Sequence, residues 1–444
     1  MTLSHERQQR KHARRAAVGA MVGTTIEWYD FFIYSTSAAL VLGQVFFPSH
    51  NHTASLLGAF STFFVAFAAR PVGAILFGHL GDRFGRKKIL ITTLMLMGAS
   101  TVSIGLIPGY ASWGAWAPTL LVLARVIQGI SVGGEWGGAV VLSVEHARSD
   151  SKTWLGSWPQ WGSPLGLLLS TAVIALATSL PGDAYYEWAW RLPFLLSIVL
   201  FIVGLVIRAK IEESPEFVQP TESSDTRSTF PLTLLLWRHW LPLLLGIGAF
   251  AYSLGGYYLT TTYTVSYIES ELHLPTYIGL SALVIAAFAQ LGGSIVGALL
   301  ADRSERMRRN LMLGALGLLI PFAFAFFPLI NTQIPAAIYG AIAISQVLQG
   351  LFYGPAAAMI VHMFPPTVRF TGVSLSYQFS AVLLGATAPF VATLLVTGPK
   401  GSVLLACYLA LMAVISFVSV FWCLRITSYQ HSTSTYVPHE IGSA

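Results

Sequence analysis

Apolar runs of about twenty residues recur along the chain, each closed by a short polar stretch. They fall at 17–42, 55–78, 89–107, 118–143, 154–177, 189–208, 240–267, 277–300, 310–328, 335–361, 371–396 and 401–424. Crossing the hydrocarbon core of a bilayer takes about 20 mostly apolar residues per helix, so the pattern predicts twelve transmembrane helices. A membrane barrel would instead alternate apolar and polar positions over strands of about ten residues. The stretch from Phe194 to Val206 is almost unbroken apolar sequence and does not alternate. The expected fold class is an all-α membrane protein.

Composition strengthens that reading. Of 444 residues, 55% are hydrophobic and only 10% are charged. A soluble domain carries about 25% charged residues because its surface faces water. The lipid bilayer is therefore the expected partner of most of this surface, and a soluble enzyme is excluded. The net charge of +6 does not call for nucleic acid, since basic residues collect in the inner loops of membrane proteins. With the N-terminus inside, all but four of the 25 Lys and Arg residues fall in inner segments, Arg208 and Arg369 among them. Arg191 and Lys400 lie outside, and Arg70 and Arg125 lie within spans. The asymmetry predicts a multi-pass protein of a bacterial inner membrane with both termini cytoplasmic. Trp113, Trp116, Trp154, Trp188, Trp190, Trp237, Trp240 and Trp422 fall at predicted helix ends, as interfacial aromatics do.

The basic N-terminus leads directly into a full-length span containing Glu27 and Asp30, which reads as an uncleaved start. Cys407 and Cys423 are sixteen positions apart in one helix, roughly 24 Å, too far to bond. No Cys/His spacing suggests a metal. The polar segment 209–239 divides the chain into an N-terminal tail (1–16), a first six-helix bundle (17–208), a linker, a second six-helix bundle (240–424) and a C-terminal tail (425–444). A weak repeat agrees with the division. GHLGDRFGRKK at Gly78–Lys88 and ALLADRSERMR at Ala298–Arg308 each follow the second helix of their half, aligning Asp82 with Asp302. Duplicated halves around a central site are a common build of secondary transporters.

The Gly78–Lys88 segment, with Asp82, Gly85 and Arg86, resembles the loop 2–3 motif of the major facilitator superfamily. A topogenic loop would explain Arg86 to Lys88 but not Gly78, Asp82 and Gly85. Gly permits a tight turn, and a carboxylate can cap a helix N-terminus or pair with Arg. The resemblance implies a latch between the halves, with Glu145 as partner for Arg86. In the second half the latch is expected to be weaker, because Glu305 stands where Gly85 stands and His362 lies where relatives commonly carry Glu. Further segments resemble the metabolite:proton symporters of that superfamily. They are Glu27-Trp-Tyr-Asp30-Phe, Ala69-Arg70-Pro71, Arg125-Val-Ile-Gln128-Gly129, Ser131-Val-Gly-Gly-Glu135-Trp136-Gly-Gly138, Trp190-Arg191-Leu-Pro-Phe194, Glu213-Ser-Pro-Glu-Phe217 and Phe364-Pro-Pro-Thr-Val-Arg369-Phe-Thr-Gly372. Glu135-Trp136 and the Phe-Pro-Pro segment are most similar to the shikimate-type branch. The resemblance implies the major facilitator fold, two pseudo-symmetric six-helix bundles, and a substrate among shikimate, oxoglutarate, citrate, dicarboxylates and betaines.

Charges at mid-membrane are costly and are functional suspects by default. Glu27 and Asp30 share a helix face, and Arg125 lies at comparable depth in the fourth span. A carboxylate in low dielectric favours its neutral form, and a nearby Arg its charged form. Arg125 is expected to release a carboxylate partner when an anionic substrate competes for it. Arg70 and Glu135 form a possible second pair, and Gln128 belongs with these candidates. Static salt bridges within the first half are the competing account. Gly129, Gly133 and Gly137 make a smooth stripe for helix packing. The second half offers hydrogen-bonding groups instead of charges; Tyr257, Gln346, Tyr353, Tyr377 and Gln378, with Tyr34 of the first half, are cavity candidates. The expected function is import of a small organic carboxylate with protons, by a monomer using the proton gradient and no cofactor. The alternatives are a zwitterion carrier or exporter of the same fold and, remotely, a membrane-embedded enzyme or sensor. Neither clustered His nor a signalling domain supports the last.

Overall fold

A computed structural model describes residues 3–49, 52–148, 150–211, 231–396 and 400–434. Among them it contains helices and no strand. We number the long helices α1 (Leu3–Ser37), α2 (His52–Phe84), α3 (Arg86–Leu106), α4 (Trp116–His146), α5 (Lys152–Thr178), α6 (Leu192–Ala209), α7 (Trp240–Glu269), α8 (Thr276–Ala301), α9 (Glu305–Asn331), α10 (Pro335–His362), α11 (Arg369–Val396) and α12 (Gly401–Ser434). Eleven of these, α2 to α12, hold a stretch long and apolar enough to cross a membrane. The twelfth, α1, is more polar because it carries Glu27, Asp30 and several Thr and Ser residues. It nevertheless packs against α4, α5 and α6 as an integral member of the bundle.

Two boundaries differ from the expected ones. The basic tail is not separate from the first span. Its Arg, Lys, Gln, Glu and Ala residues are strong helix formers without Pro or Gly, and α1 runs through them from Leu3. At the other end α12 continues to Ser434, beyond the apolar run. A short helix at Pro231–Arg238 occupies the end of the expected linker. Residues 212–230, including the Glu213–Phe217 motif, and 435–444 lie outside the described residues.

Local chemistry sets the turns. Gly85 takes φ 105°, a conformation an L side chain rarely adopts, so the chain reverses between α2 and α3. Ser304 caps α9, its side chain accepting from the Met307 amide at 3.1 Å. Pro71, Pro321, Pro328 and Pro355 sit inside helices, where neighbouring helices can satisfy the freed carbonyls. Wider π-helical turns interrupt α7 at Tyr252–Gly256 and Leu259–Tyr263, and α11 at Ala381–Ala386.

The outward faces are apolar. On α6, Leu192, Leu196, Val199, Val203 and Val206 form an exposed ridge, a face that water would not tolerate and lipid does. Inside, one apolar cluster joins α7–α12 and also takes in Ala74 of α2 and Trp136, Val140, Val141 and Val144 of α4. The two groups of helices are thus packed on each other along one end. The main contacts of that seam are α2 on α11, α4 on α11, α5 on α10 and α5 on α8. One glycine of the stripe, Gly137, serves it, while Gly129 and Gly133 pack α4 on α2 within the first half. Side-chain atoms at Gly129 or Gly133 would strike the α2 backbone at Ala66 and Arg70, and at Gly137 would strike Ser374 of α11. The tryptophans divide: Trp113, Trp116, Trp188, Trp237, Trp240 and Trp422 are exposed, whereas Trp190 is buried against Phe46. Trp190 is therefore a core residue rather than an interfacial one.

Candidate functional site

The seam is held at the end bearing the basic loops by two carboxylates that cap helices of the opposite half. Asp82, at the end of α2, accepts from the Phe370 and Thr371 amides at 3.0 Å each and from the Thr371 hydroxyl at 2.7 Å. Those amides open α11, where the helix dipole favours an anion. Gly78 lets α2 approach Thr371 closely enough for this contact. Asp302, after α8, does the same to α5, accepting from the Thr153 amide at 3.0 Å and the Trp154 amide at 2.7 Å.

Around these caps the halves differ. Glu145 is bound by Arg86 and, at 2.7 Å, by Arg369 from the other half. In the equivalent place Lys152 meets His362, Nζ to Nε2 at 3.5 Å. The second latch keeps its cap, with His362 where the first has Glu145, and its described ion pair is the exposed Arg308–Glu305 contact within α9. Behind the caps, the Trp136 indole lies flat on Tyr377 with ring centroids 3.8 Å apart. Its N–H donates to Gln160, which donates in turn to the Tyr353 carbonyl at 3.2 Å. Gln378 donates to the Val132 carbonyl at 3.2 Å. Apart from the Trp136–Gln160 bond, these contacts cross the seam.

The expected Arg70–Glu135 pair is not formed. Glu135 is bound through both oxygens by Arg208 and accepts from the Thr93 hydroxyl at 2.9 Å. Arg208 also donates to the Leu90 carbonyl at 2.6 Å. The sequence reading put Arg208 in a cytoplasmic segment. It is instead buried in the last turn of α6 and turned inward onto α4. Gly23 of α1 covers the pair, its missing side chain leaving room for the guanidinium.

Arg125 and the α1 carboxylates also depart from expectation. Arg125 bonds Gln128, and Gln128 donates to the Thr101 hydroxyl at 2.8 Å and to Asp30 at 3.5 Å. Thr101 donates to the same Asp30 oxygen at 2.6 Å. The Arg125 guanidinium lies over the Tyr34 ring at 3.7 Å, and the Tyr34 hydroxyl bonds Thr62. Arg125 is thus linked to Asp30 through an amide and makes no ion pair with it. Tyr34 belongs to this network inside the first half rather than to a cavity shared with the second.

Glu27 and Arg70 remain. Both are buried, and neither makes a hydrogen bond or ion pair to a described residue; Glu27 Oε2 and Arg70 Nε are among the unbonded buried atoms. Arg70 lies over Phe67 at 4.1 Å and Phe31 at 5.7 Å. Arg70 is among the charges within electrostatic reach of Glu27. Tyr258, Tyr353 and Tyr377 of the second half stand within electrostatic reach of Glu27. The Tyr353 and Tyr377 hydroxyls are 3.3 Å apart. Tyr257 and Tyr258 pack with Trp28, Phe31 and Phe67. The result is a buried cluster between the halves, with one acid and one base from the first and phenols from the second, called the chamber below. Gln346 is held by the Thr260 hydroxyl at 2.9 Å.

Comparison with known proteins resolves the family. The model of the Major Facilitator Superfamily matches residues 20–389. The chain belongs to the major facilitator superfamily. Within the superfamily its relatives are metabolite transporters. The chain is 36% identical over 428 residues to the inner membrane metabolite transport protein YhjE of Escherichia coli, covering 94% of this chain and 96% of that one. It is 37% identical over 396 residues to the shikimate transporter of Escherichia coli, covering 87% and 88%. To the proline/betaine transporter of Salmonella typhimurium it is 34% identical over 415 residues, covering 91% and 82%. Among solved structures it superposes on the proton:xylose symporter XylE with a TM-score of 0.72 at 17% identity, covering 97% of each chain. This superfamily member is a multi-pass membrane transporter of metabolites, not an enzyme.

Reading residues in order missed four members of this arrangement: Arg208, Arg369, Thr101 and Thr371. The two arginines were visible but counted as loop cations. The hydroxyls of Thr101 and Thr371 carry no signal in one sequence.

Proposed function

We propose that this protein imports a small organic carboxylate together with protons, by alternating exposure of the Glu27–Arg70 chamber. The observation that carries the reading is a buried acid and a buried base left without hydrogen bonds between two helical bundles. A charge in that position is costly, and its burial is rational only if a ligand or a proton completes it. Arg70, rather than Arg125, is the guanidinium available to hold a substrate carboxylate in two-pronged fashion. Glu27 is the group that gains or loses the proton as the chamber opens to one side and then the other. Asp30, wired through Thr101 and Gln128 to Arg125, is a second proton-sensitive point. Tyr353 and Tyr377 supply hydroxyls to the polar remainder of the substrate.

With the basic loops on the cytoplasmic side of a bacterial inner membrane, the two caps close the cytoplasmic exit. One chain contains the whole chamber, so a monomer suffices. The shikimate relative favours a hydroxylated carboxylate. The betaine relatives, with Trp28, Phe31, Tyr257 and Tyr258 beside the chamber, favour a second reading: a zwitterion whose quaternary ammonium rests on aromatic faces. Proteoliposome uptake under an imposed pH gradient separates them, with shikimate, dicarboxylates and betaine in competition. Accumulation of a carboxylate that collapses with the proton gradient supports symport. A solute panel in which nothing accumulates under that gradient refutes it.

A further inference from the structure

Away from the chamber, at the end bearing the basic loops, α1 and α6 diverge around a cavity of about 610 Å³. It is lined by Arg10, Lys11, Arg14, Arg15 and Val18 of α1, Ile207 of α6 and Lys210 just after it. Arg10 and Arg14, and Lys11 and Arg15, are four apart, so each pair stacks along one side of the helix. Like charges at that spacing repel when α1 stands alone. Yet none of these five cations forms an ion pair with a described residue. At the C-terminal end of α6, Lys87 donates to the Ala209 carbonyl at 3.0 Å. Five cations therefore line one hollow that holds no carboxylate among the described residues.

The cavity's position is as informative as its charge. The apolar span of α1 begins just beyond Arg15, and that of α6 ends at Arg208. The hollow thus sits where hydrocarbon gives way to headgroups, lined by both cations and apolar side chains. Retention of positive loops inside explains a basic tail. It does not explain why four of the cations are helical and line a hollow shared with a neighbouring helix end.

We infer that this cavity binds the phosphate headgroup of an anionic membrane lipid, with the acyl chains lying along Val18 and Ile207. Basic hollows between helix ends on the cytoplasmic side suit such headgroups. Two-pronged guanidinium contacts suit phosphate oxygens. Bound there, the lipid neutralises the tail and fastens α1, the helix that carries Glu27 and Asp30, to α6. Binding does not depend on what is transported, so it stands or falls separately from the symport reading.

The test is lipid binding to the full-length protein in detergent, followed by native mass spectrometry during titration with phosphatidylglycerol, phosphatidylcholine or inorganic phosphate. The comparison is between the wild type, Arg10→Gln/Arg14→Gln/Arg15→Gln, and a charge-matched control, Arg238→Gln/Arg306→Gln/Arg309→Gln. Phosphatidylglycerol should bind the wild type and the control saturably, and the α1 variant about a hundredfold more weakly. Phosphatidylcholine should bind all three alike. Equal phosphatidylglycerol affinity for the wild type and the α1 variant overturns the site. Displacement of the lipid by millimolar inorganic phosphate overturns the lipid assignment in favour of a free phosphate site. A thermal unfolding scan of each variant without lipid checks folding, and an α1 variant still folded yet unable to retain the lipid supports the inference.

Discussion

Glu135 and Glu27 are both glutamates buried in the first half, and they are kept in opposite ways. Glu135 is bound by Arg208 and Thr93 on neighbouring helices, with both oxygens occupied. Glu27 lies close enough to Arg70 to feel its charge and makes no side-chain hydrogen bond or ion pair to a described residue. The first arrangement meets the desolvation of two charges with internal partners, which makes it a brace between α3, α4 and α6. The second leaves desolvation unanswered, which is tolerable only where another species completes the site. Burial alone therefore does not mark a functional charge in a membrane protein. Burial without partners does.

The largest expected effect tests the brace. Arg208→Ala leaves Glu135 buried and unpaired, and should destabilise the protein by about 3–5 kcal/mol, read as thermal unfolding in detergent. Glu27→Gln, which removes an unpaired charge, should leave unfolding unchanged or raise its midpoint. If the two variants destabilise equally, the distinction between brace and chamber fails. Next comes Arg70→Ala, expected to weaken substrate binding by about 2–5 kcal/mol, read as a rise in KM or a loss of counterflow while the protein stays folded.

A smaller effect distinguishes the two latches. Asp82 accepts three hydrogen bonds and Asp302 two. Losing charge-assisted bonds costs on the order of 1–3 kcal/mol, so Asp82→Asn should open the basic end more often than Asp302→Asn. The readout is maleimide labelling of a cysteine at Ser157, a buried position of α5, in a chain carrying Cys407→Ser. The smallest effect is that of Tyr353→Phe, which removes one hydroxyl from the chamber. It should raise KM by a factor corresponding to about 1 kcal/mol for a hydroxylated substrate, and less for betaine.

Hydropathy made the helices legible because lipid demands about twenty apolar residues at a time, whatever else the chain does. Only α1 escapes that criterion in the folded protein, since Glu27 and Asp30 dilute its apolar character. The latches were legible in part. Asp82, Gly85 and Arg86 stand at fixed spacing in one loop, so their pattern survives in sequence, and Glu145 could be matched to Arg86 by its place at the inner end of α4. The partners of buried charges were not legible. Counting residues from a helix end gives depth along the membrane normal and says nothing of azimuth around the helix. Arg70 and Glu135 have similar depth, yet Glu135 faces α6 while Arg70 faces the chamber. Arg208 was lost for a related reason: one turn at the end of a span decides whether a cation snorkels to water or turns inward, and composition is silent on that turn.

The account rests on Glu27 being the group whose protonation is tied to the opening of the chamber. Its most direct test compares two assays of Glu27→Gln in proteoliposomes: exchange of labelled substrate at equal concentrations, and uphill accumulation under an imposed pH gradient. The account predicts that exchange persists while gradient-driven accumulation is lost, because the chamber still binds and still alternates but no longer carries a proton. Accumulation by Glu27→Gln at the wild-type level under that gradient would contradict it.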